Sequence, residues 1–150
     1  MTVTLRPLVA DDRAWLDTWL PTLAKAVGYD DTELIDRART ERALRVRAIV
    51  REAEPVGVLA YRITTPKRGV AVFEIVGTPP EHARRGAGMV AAACAEEEMR
   101  AGGVRTVYAP AAEVHGISMY FWIRLGYAPI QRGEWPCERE GVAWLRRSLV

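Results

Sequence analysis

The sequence has few of the side chains that bind metal ions. It contains two cysteines, Cys94 and Cys137, and two histidines, His82 and His115. None of the four has the short spacing to another that zinc sites require, so we expect no metal site. Cys94 lies in an apolar helical run and is expected to pack in the core. With so few cysteines, a reducing cytoplasm is the expected location.

Long apolar runs and a strong net charge are also missing. No apolar stretch reaches the length of about 18 residues that suggests a membrane span, and "MTVTLRPLVADDR" lacks the pattern of a secretory signal. The 21 Lys and Arg residues nearly balance 19 Asp and Glu residues, and the arginines are scattered along the chain. We therefore expect neither a membrane nor a nucleic acid as a partner.

What the sequence does contain is an ordinary composition for one folded domain. Apolar residues make up 49% of the chain and charged residues 27%, which is typical of a soluble globular protein. Its 150 residues are enough to bury a substantial core. Because no repeat, low-complexity segment or linker interrupts them, we expect residues 1–150 to form a single domain.

The periodicity of the apolar residues predicts a mixed α/β (α+β) fold. Strands are predicted in "TVTLRPLV", "ALRVRAIVRE", "PVGVLAYRITT" and "VAVFEIVGT", then in "VRTVYAP" and near residues 127–133 and 141–149. Helices are predicted in "ADDRAWLDTWLPTLAKAVG", which Pro21 divides into two pieces, in "DDTELIDRARTE", over 88–102 and in "VHGISMYFWIRLG". This order predicts a twisted, mostly antiparallel mixed sheet of six to seven strands with helices on both faces.

The most informative stretch is "PPEHARRGAGMVAAACAEEEMR", residues 79–100. Gly86 and Gly88 stand where a loop enters a helix, and the first amides of a helix have no intrahelical partner. Together with the helix dipole they attract anions, and glycine lets a phosphate approach closely. Arg84 and Arg85 can add charge-assisted hydrogen bonds. The stretch therefore suggests a pyrophosphate site. In the helix that follows, Glu96, Glu97 and Glu98 are expected to face solvent.

Two other interpretations fit the same glycines. One is a plain turn followed by a helix cap. The other is a dinucleotide-binding fingerprint, because Gly86-x-Gly88-x-x-Ala91 satisfies its spacing. However, nine positions separate Gly77 from Gly86, and no acidic residue ends the next strand at Pro110. A Walker loop is excluded because no Gly-Lys-Ser/Thr occurs.

A third interpretation comes from resemblance. "VGTPPEHARRGAGMVAAACAEEEMRAGGVRTVYAPA" and the later "HGISMYFWIRLGYAP" resemble the GNAT acetyltransferase superfamily. Gly86 and Gly88 match the glycines of that family's (Gln/Arg)-x-x-Gly-x-(Gly/Ala) loop, and residues 124–127 match the end of its helical motif. The opening "VTLRPLVADDRAWL" and closing "GVAWLRRSLV" resemble its first and last elements.

The resemblance implies an enzyme that transfers acetyl from acetyl-CoA to an amine by direct attack. It assigns the pantetheine arm to the strand end, the pyrophosphate to the loop and further cofactor contacts to the later helix. The residues it assigns to cofactor binding are Val76, Gly77, Thr78, Arg84, Arg85, Gly86, Ala87, Gly88, Met89, His115 and Trp122.

The sequence departs from the family pattern at four positions. Ala83 stands where the loop usually has Gln or Arg, His115 where Asn is usual and Ser118 where Ala is usual. Trp122 falls where the family places a tyrosine that protonates the leaving thiolate, and an indole cannot act as that acid. Solvent, or Tyr108 or Tyr127, would then supply the proton.

The candidate base is Glu74, the only acid in "VAVFEIVGT". Strict alternation puts it on one strand face with Val72, Val76 and Thr78, where burial would raise the pKa of its carboxyl. Related enzymes often carry a glutamate base on this strand. The alternative is a glutamate that pairs with an arginine of a neighbouring strand, such as Arg62.

The sequence admits more than one kind of acceptor. The resemblance implies that residues 11–39 line the acceptor pocket. An aromatic wall with an acidic rim there would suit a cationic amine, whereas the nearby arginines suit a carboxylate-bearing one. The wall residues are Trp15, Trp19 and Tyr29, the rim residues Asp30, Asp31 and Glu33, and the arginines Arg37, Arg39, Arg42 and Arg45. The expected partner is a small-molecule or peptide amine, with a homodimer among the alternatives. Two rival functions are a non-catalytic acyl-CoA-binding sensor module and a transferase that uses another acyl-CoA.

Overall fold

The computed structural model of the chain describes residues 2–29, 33–114 and 116–150. Within these ranges the strands are Val3–Pro7 (β1), Leu44–Arg51 (β2), Glu54–Ile63 (β3), Val70–Gly77 (β4), Thr106–Ala112 (β5), Ala128–Pro129 (β6) and Val142–Ser148 (β7). The α-helices there are Arg13–Ala26 (α1), Leu34–Thr40 (α2), Ala87–Ala101 (α3) and Gly116–Arg124 (α4). Short 3₁₀ turns cover Ala10–Asp12, Pro80–His82 and Arg132–Glu134.

All the strands belong to one seven-stranded sheet in the order β1-β2-β3-β4-β5-β7-β6. Neighbouring strands are antiparallel except β4 and β5, which run parallel. The parallel pair is possible because α3 lies between β4 and β5 in the chain and carries it back along the sheet. The predicted mixed, mostly antiparallel sheet is confirmed.

Helices cover both faces of the sheet, as predicted. On one face α3 and α4 contribute to a buried cluster around Phe73 and Leu145. On the other face α1 and α2 pack on β2, β3 and β4. Alternation along β3 serves both faces, because Leu59 belongs to the first cluster while Val58 and Ala60 belong to the second. In the described residues no helix is long and apolar enough to span a bilayer.

Two predicted elements differ in the structure. Pro21 lies inside a continuous α1 and does not divide it. Proline removes one helical hydrogen bond, but Leu20 and Ala24 on either side are 1% exposed, and their packing on the sheet holds the helix together. The strand expected near residues 127–133 is limited to Ala128–Pro129, after which the chain enters a 3₁₀ turn.

The prediction that Glu96 faces solvent is wrong. Its position on α3 places it on the same helix face as Ala92 and Met99, both of which are buried against the sheet. The carboxylate accepts a hydrogen bond from the Tyr127 hydroxyl at 2.6 Å and pairs with Arg147 at 2.7 Å. Burial of this acid is tolerated because both of its oxygens have a partner. Glu97 and Glu98 are exposed, as expected.

Candidate functional site

The site begins where β4 and β5 separate. These strands pair at only three positions, Val70 with Thr106, Ala71 with Val107 and Val72 with Tyr108. Beyond Tyr108, β5 continues beside β7 and β4 continues beside β3. Residues 73–77 and 109–112 therefore border an opening in the sheet, which we call the splay. Backbone groups that face a splay are open to pairing with an extended ligand.

Trp122 closes the inner end of the splay. Its indole N–H donates to the main-chain oxygen of Pro110 at 2.8 Å, in the part of β5 that no longer pairs with β4. The side chain is 3% exposed, and its ring centroid lies 4.9 Å from that of Phe73. Because its only polar atom is bonded and its ring is buried, Trp122 holds α4 against β5. The cofactor contact that the resemblance assigned to Trp122 stays a prediction.

An open helix N-terminus lies beside the splay. The chain turns through Arg84 and Gly86, whose φ angles are +62° and +80°, and α3 then begins at Ala87. Among the described residues, no side chain caps this end of the helix. No described atom lies within 4 Å of the position that a Cβ on Gly86 would take. Gly86 therefore makes the turn possible and leaves the space in front of the first amides empty.

The charges around this N-terminus favour an anion. Arg84 and Arg85 are exposed, and in the described ranges neither makes an ion pair or hydrogen bond. Ala83 is exposed as well and contributes no polar group. We call residues 84–89 the cradle. Its free amides and two guanidinium groups fit the pyrophosphate that the sequence predicted there.

Gly88 connects the cradle to the other predicted cofactor residues. A Cβ at Gly88 would lie 3.4 Å from the Phe121 ring of α4 and 3.7 Å from the Val76 side chain of β4. The cradle, α4 and the edge of the splay therefore meet at this glycine. Gly77 and Thr78 continue from Val76 at the end of β4. His115, assigned to the cofactor by resemblance, lies outside the described residues.

Two further residues of this region contribute to its packing. Ser118, at the position where the family motif has Ala, accepts a hydrogen bond from the Ala112 amide at the end of β5. Gly77 lies directly under α1, because a Cβ there would come within 2.0 Å of the Leu23 side chain. The ends of β4 and β5 that border the splay therefore pack against α1 on one side of the sheet and α4 on the other.

A β-bulge at Glu74 changes which face its side chain occupies. Ala60 pairs with Ile75 and Tyr61 pairs with Phe73, so Glu74 has no partner on β3. The extra residue reverses the alternation: Val76 packs with the α3 face, whereas Glu74 contacts Tyr29 on the α1 and α2 face. The expectation that Glu74 and Val76 share a face is therefore wrong.

The Glu74 carboxylate is held by three donors. The Tyr29 hydroxyl donates to it at 2.8 Å, Arg62 pairs with it at 3.1 Å and Arg37 at 3.3 Å. The predicted pairing with Arg62 is present, so Glu74 is surrounded by cations as well as by apolar side chains. Both arginines also bind Glu41, and their hydrogen bonds lower the pKa of its carboxyl from 4.5 to about 2. Burial and the neighbouring Glu74 raise the pKa of Tyr29.

Arg139, which no sequence pattern indicated, links the residues around Glu74 to the chain that follows α1. Its guanidinium donates to the main-chain oxygen of Gly28 at 2.9 Å and to that of Glu74 at 3.2 Å. It also lies 5.0 Å from the centre of the Tyr29 ring. The segment before β7 therefore packs over the bulge on the face of the sheet that α1 covers.

The two candidate acids lie in different surroundings. The Tyr127 hydroxyl donates to the buried Glu96, and burial and that carboxylate raise its pKa. Tyr108 stands at the last position where β4 and β5 pair, at the inner end of the splay. Its side chain packs against the cluster of Val72, Val142 and Trp144. The acid role of either tyrosine stays a prediction.

The predicted aromatic wall is mostly core. Trp15 and Trp19 meet edge to face at 5.2 Å and pack within the cluster under α1. Of the predicted acidic rim, Asp30 and Asp31 lie outside the described residues, and Glu33 pairs with Arg13. Only Tyr29 of the wall reaches Glu74.

Solved structures with the same fold span nearly the whole chain. An acetyltransferase from Thermus thermophilus is 22% identical, with a TM-score of 0.76, over 99% of this chain and 98% of that one. The PaiA N-acetyltransferase from Thermoplasma acidophilum, solved with coenzyme A, is 12% identical, with a TM-score of 0.74, over 99% of each chain. Spermidine N-acetyltransferase from Vibrio cholerae, solved with coenzyme A and spermine, is 14% identical, with a TM-score of 0.78, over 97% of this chain and 95% of that one.

At these identities the structures show a shared fold and no more. A search of the curated proteins finds no match to the chain. The sequence model of the Acetyltransferase (GNAT) family, however, matches residues 11–127. That range includes the splay, the cradle, the bulge at Glu74 and the helix that carries Trp122. The chain therefore belongs to the GNAT acetyltransferase family.

Proposed function

We propose that the protein transfers the acetyl group of acetyl-CoA to the amine of a small molecule. The observation that carries this proposal is the meeting of an open, arginine-flanked helix N-terminus with an unpaired strand edge at Gly88 and Val76. Acetyl-CoA has a pyrophosphate and an extended amide-containing arm, which are the two features that such a site can bind.

In this proposal the cradle holds the pyrophosphate. The amides of Ala87, Gly88 and Met89 point outward from the first turn of α3, and Arg84 and Arg85 add positive charge that no described acid neutralises. The backbone of residues 76–78 pairs with the pantetheine arm along the β4 side of the splay. On the β5 side of the splay, Trp122 donates a hydrogen bond to Pro110 and keeps β5 apart from β4.

The chemistry needs a proton acceptor for the amine and a proton donor for the thiolate. Bound acetyl-CoA supplies a thioester carbonyl that is open to amine attack. Glu74 is our candidate base, because its carboxylate lies at the bulge beside the splay and its Oε1, whose partner is Arg62, keeps a lone pair. Tyr108, at the inner end of the splay, is our candidate acid.

The acceptor is proposed to enter from the side of α1 and α2, where Tyr29, Glu74 and Arg139 meet. The related spermidine N-acetyltransferase was solved with spermine, and an N-acetylglutamate synthase from Neisseria gonorrhoeae with N-acetyl-glutamate. These examples support a small-molecule amine as the class of acceptor.

The test has a binding step and a turnover step. Acetyl-CoA should raise the melting temperature, because it binds the folded state. Release of free thiol is then measured across a panel of amines. Glu74→Gln should lower kcat by about 10²–10⁴-fold while leaving the acetyl-CoA shift unchanged. Glu97→Gln, which removes an exposed carboxylate of α3, is the matched control and should leave both unchanged.

Each negative result has a distinct meaning. If no acyl-CoA shifts the melting temperature, the proposed cofactor site is wrong. If acetyl-CoA binds but no amine releases thiol, the protein is a binding module. If another acyl-CoA releases thiol faster, the acyl group is wrong. If Glu74→Gln retains full activity, Glu74 only anchors Arg37 and Arg62.

A further inference from the structure

A cavity lies on the far side of α2 from Glu74. It has a volume of about 500 Å³, within the range of small-molecule pockets. The end of β1, the turn after it, α2 and the start of β2 line it, and it is open to solvent on one side. Its described lining includes Val9, Ile35, Ala38, Arg39, Leu44 and Val46. We call it the β1–α2 cavity.

The cavity forms because β1 does not run alongside the whole length of β2. Pro7, the last residue of β1, pairs with Arg47, whereas β2 extends back to Leu44. The chain then leaves the sheet for the 3₁₀ turn at Ala10–Asp12, which opens a gap beside the unpaired edge of β2. Leu44 and Val46 are each 3% exposed and form an apolar floor with Ile35.

The charge that is available at the cavity is that of Arg39. Arg39, Arg45 and Arg47 are among its described lining residues, and no acidic side chain is. Arg47 also pairs with Glu98, and Arg45 donates to the main-chain oxygen of Arg42. Arg39 is exposed and makes no ion pair or hydrogen bond with the part of the chain that is described. An anion could therefore bind Arg39 without displacing a partner.

This cavity is separate from the splay. Residues Ile35, Ala38 and Arg39 of α2 line the cavity, whereas Arg37 of the same helix reaches Glu74. α2 thus forms one wall of the cavity and one wall of the region around Glu74. A ligand in the cavity would not occupy the path to the cradle. The acetyl-transfer chemistry proposed above uses none of the residues that line it.

We propose that the β1–α2 cavity binds a small organic carboxylate with an apolar body. The carboxylate pairs with the guanidinium of Arg39, in the charge-assisted geometry that arginine provides. The body covers Val9, which lines the cavity and is 49% exposed, and removes apolar surface from water. A cationic ligand would be repelled by Arg39, and a neutral one would lack the ion pair.

Decanoate, kept below the concentration at which it forms micelles, is the probe for this site. Amide chemical shifts of the isotope-labelled protein are followed during titration with decanoate, decanol and decyltrimethylammonium. We expect saturable shifts at Ile35, Ala38 and Val46 with decanoate. Decanol should bind at least tenfold more weakly, since it lacks the charged hydrogen bonds, and the cation should not bind.

Two variants locate the ligand. Arg39→Ala should weaken decanoate binding about tenfold, whereas Arg68→Ala, an exposed arginine in the turn after β3, should leave it unchanged. Ala38→Trp fills the cavity from the exposed side of α2. It should abolish binding without lowering the melting temperature.

The proposal is overturned if decanoate produces no saturable shifts, or if decanol or the cation binds as tightly as decanoate. It is equally overturned if Arg39→Ala behaves like Arg68→Ala, or if Ala38→Trp still binds decanoate while remaining folded. None of these measurements requires acetyl-CoA or an amine, so failure here leaves the proposed acetyl transfer untouched.

Discussion

At the scale of single residues, a substitution of Gly88 is expected to weaken cofactor binding without lowering the stability of the fold. An alanine Cβ there meets Phe121 and Val76 only at ordinary contact distances, and alanine stabilises a helix by about 0.5–1 kcal/mol relative to glycine. Gly88→Ala should therefore keep or slightly raise the melting temperature. The same methyl group narrows the junction of cradle and splay, so acetyl-CoA should bind about tenfold more weakly by calorimetry.

Gly102→Ala is the control for this change. Gly102 ends α3 at a φ of −88°, and a Cβ there would lie 3.5 Å from the Met99 oxygen. This substitution should leave acetyl-CoA affinity unchanged. Equal affinities for the two variants would show that the cofactor does not pass Gly88.

The buried Glu96 is a second residue whose charge can be tested. Glu96→Gln keeps an oxygen for the Tyr127 hydroxyl but removes the negative charge opposite Arg147. Because Arg147 is 32% exposed and stays partly solvated, we expect a loss of about 1–2 kcal/mol in the free energy of unfolding. Denaturant unfolding measures it. Glu97→Gln, on the solvent side of the same helix, should cause little change, and equal losses would contradict the assigned role of Glu96.

At the scale of secondary-structure elements, Trp122 determines how α4 and β5 fit together. Trp122→Phe leaves the Pro110 oxygen without its donor and removes part of a buried ring system. An unsatisfied buried carbonyl and a small cavity together should cost about 2–4 kcal/mol of unfolding free energy. Urea unfolding provides the measurement, and acetyl-CoA affinity should fall with it as the splay relaxes.

Trp135 offers a matched comparison for that substitution. Its indole N–H also donates to a main-chain oxygen, that of Ile130 at 3.4 Å, but the residue is only half-buried. Trp135→Phe should therefore cost less than about 1 kcal/mol. A similar loss at both positions would mean that the bond to Pro110 has no special role.

At the scale of the whole molecule, periodicity predicted the elements but not their local irregularities. Alternation in β2, β3 and β4 was sufficient for the antiparallel part of the sheet. The bulge at Glu74 could not be foreseen, because "VAVFEIVGT" reads as an uninterrupted strand. Arg37 and Glu41 are four residues apart in the chain, a spacing that a helix brings together. Tyr29 and Glu74 are 45 residues apart, and only the packing of α1 on the sheet joins them.

Three tyrosines on the two faces of the sheet share one arrangement, which makes the folded state sensitive to alkaline pH. Tyr29, Tyr61 and Tyr127 donate to Glu74, Glu98 and Glu96 respectively. Burial, and then those carboxylates, raise the pKa of each phenol above its usual value of 10.0. A raised pKa in the folded state adds stability that is fully present below pH 10 and is lost as the pH rises further.

The expected result is that these three phenols ionise only as the protein unfolds. Above pH 10 the unfolded chain gains the free energy of ionising them, while the folded chain cannot. Tyrosinate absorbance and circular dichroism, recorded on the same samples, should therefore change together for three of the five tyrosines. In guanidinium all five should ionise near pH 10. If Tyr29, Tyr61 and Tyr127 also ionise near that pH while the circular dichroism remains native, these phenols are not held by their carboxylate partners. The packing of Tyr29 against Glu74 at the proposed site would then be wrong as well.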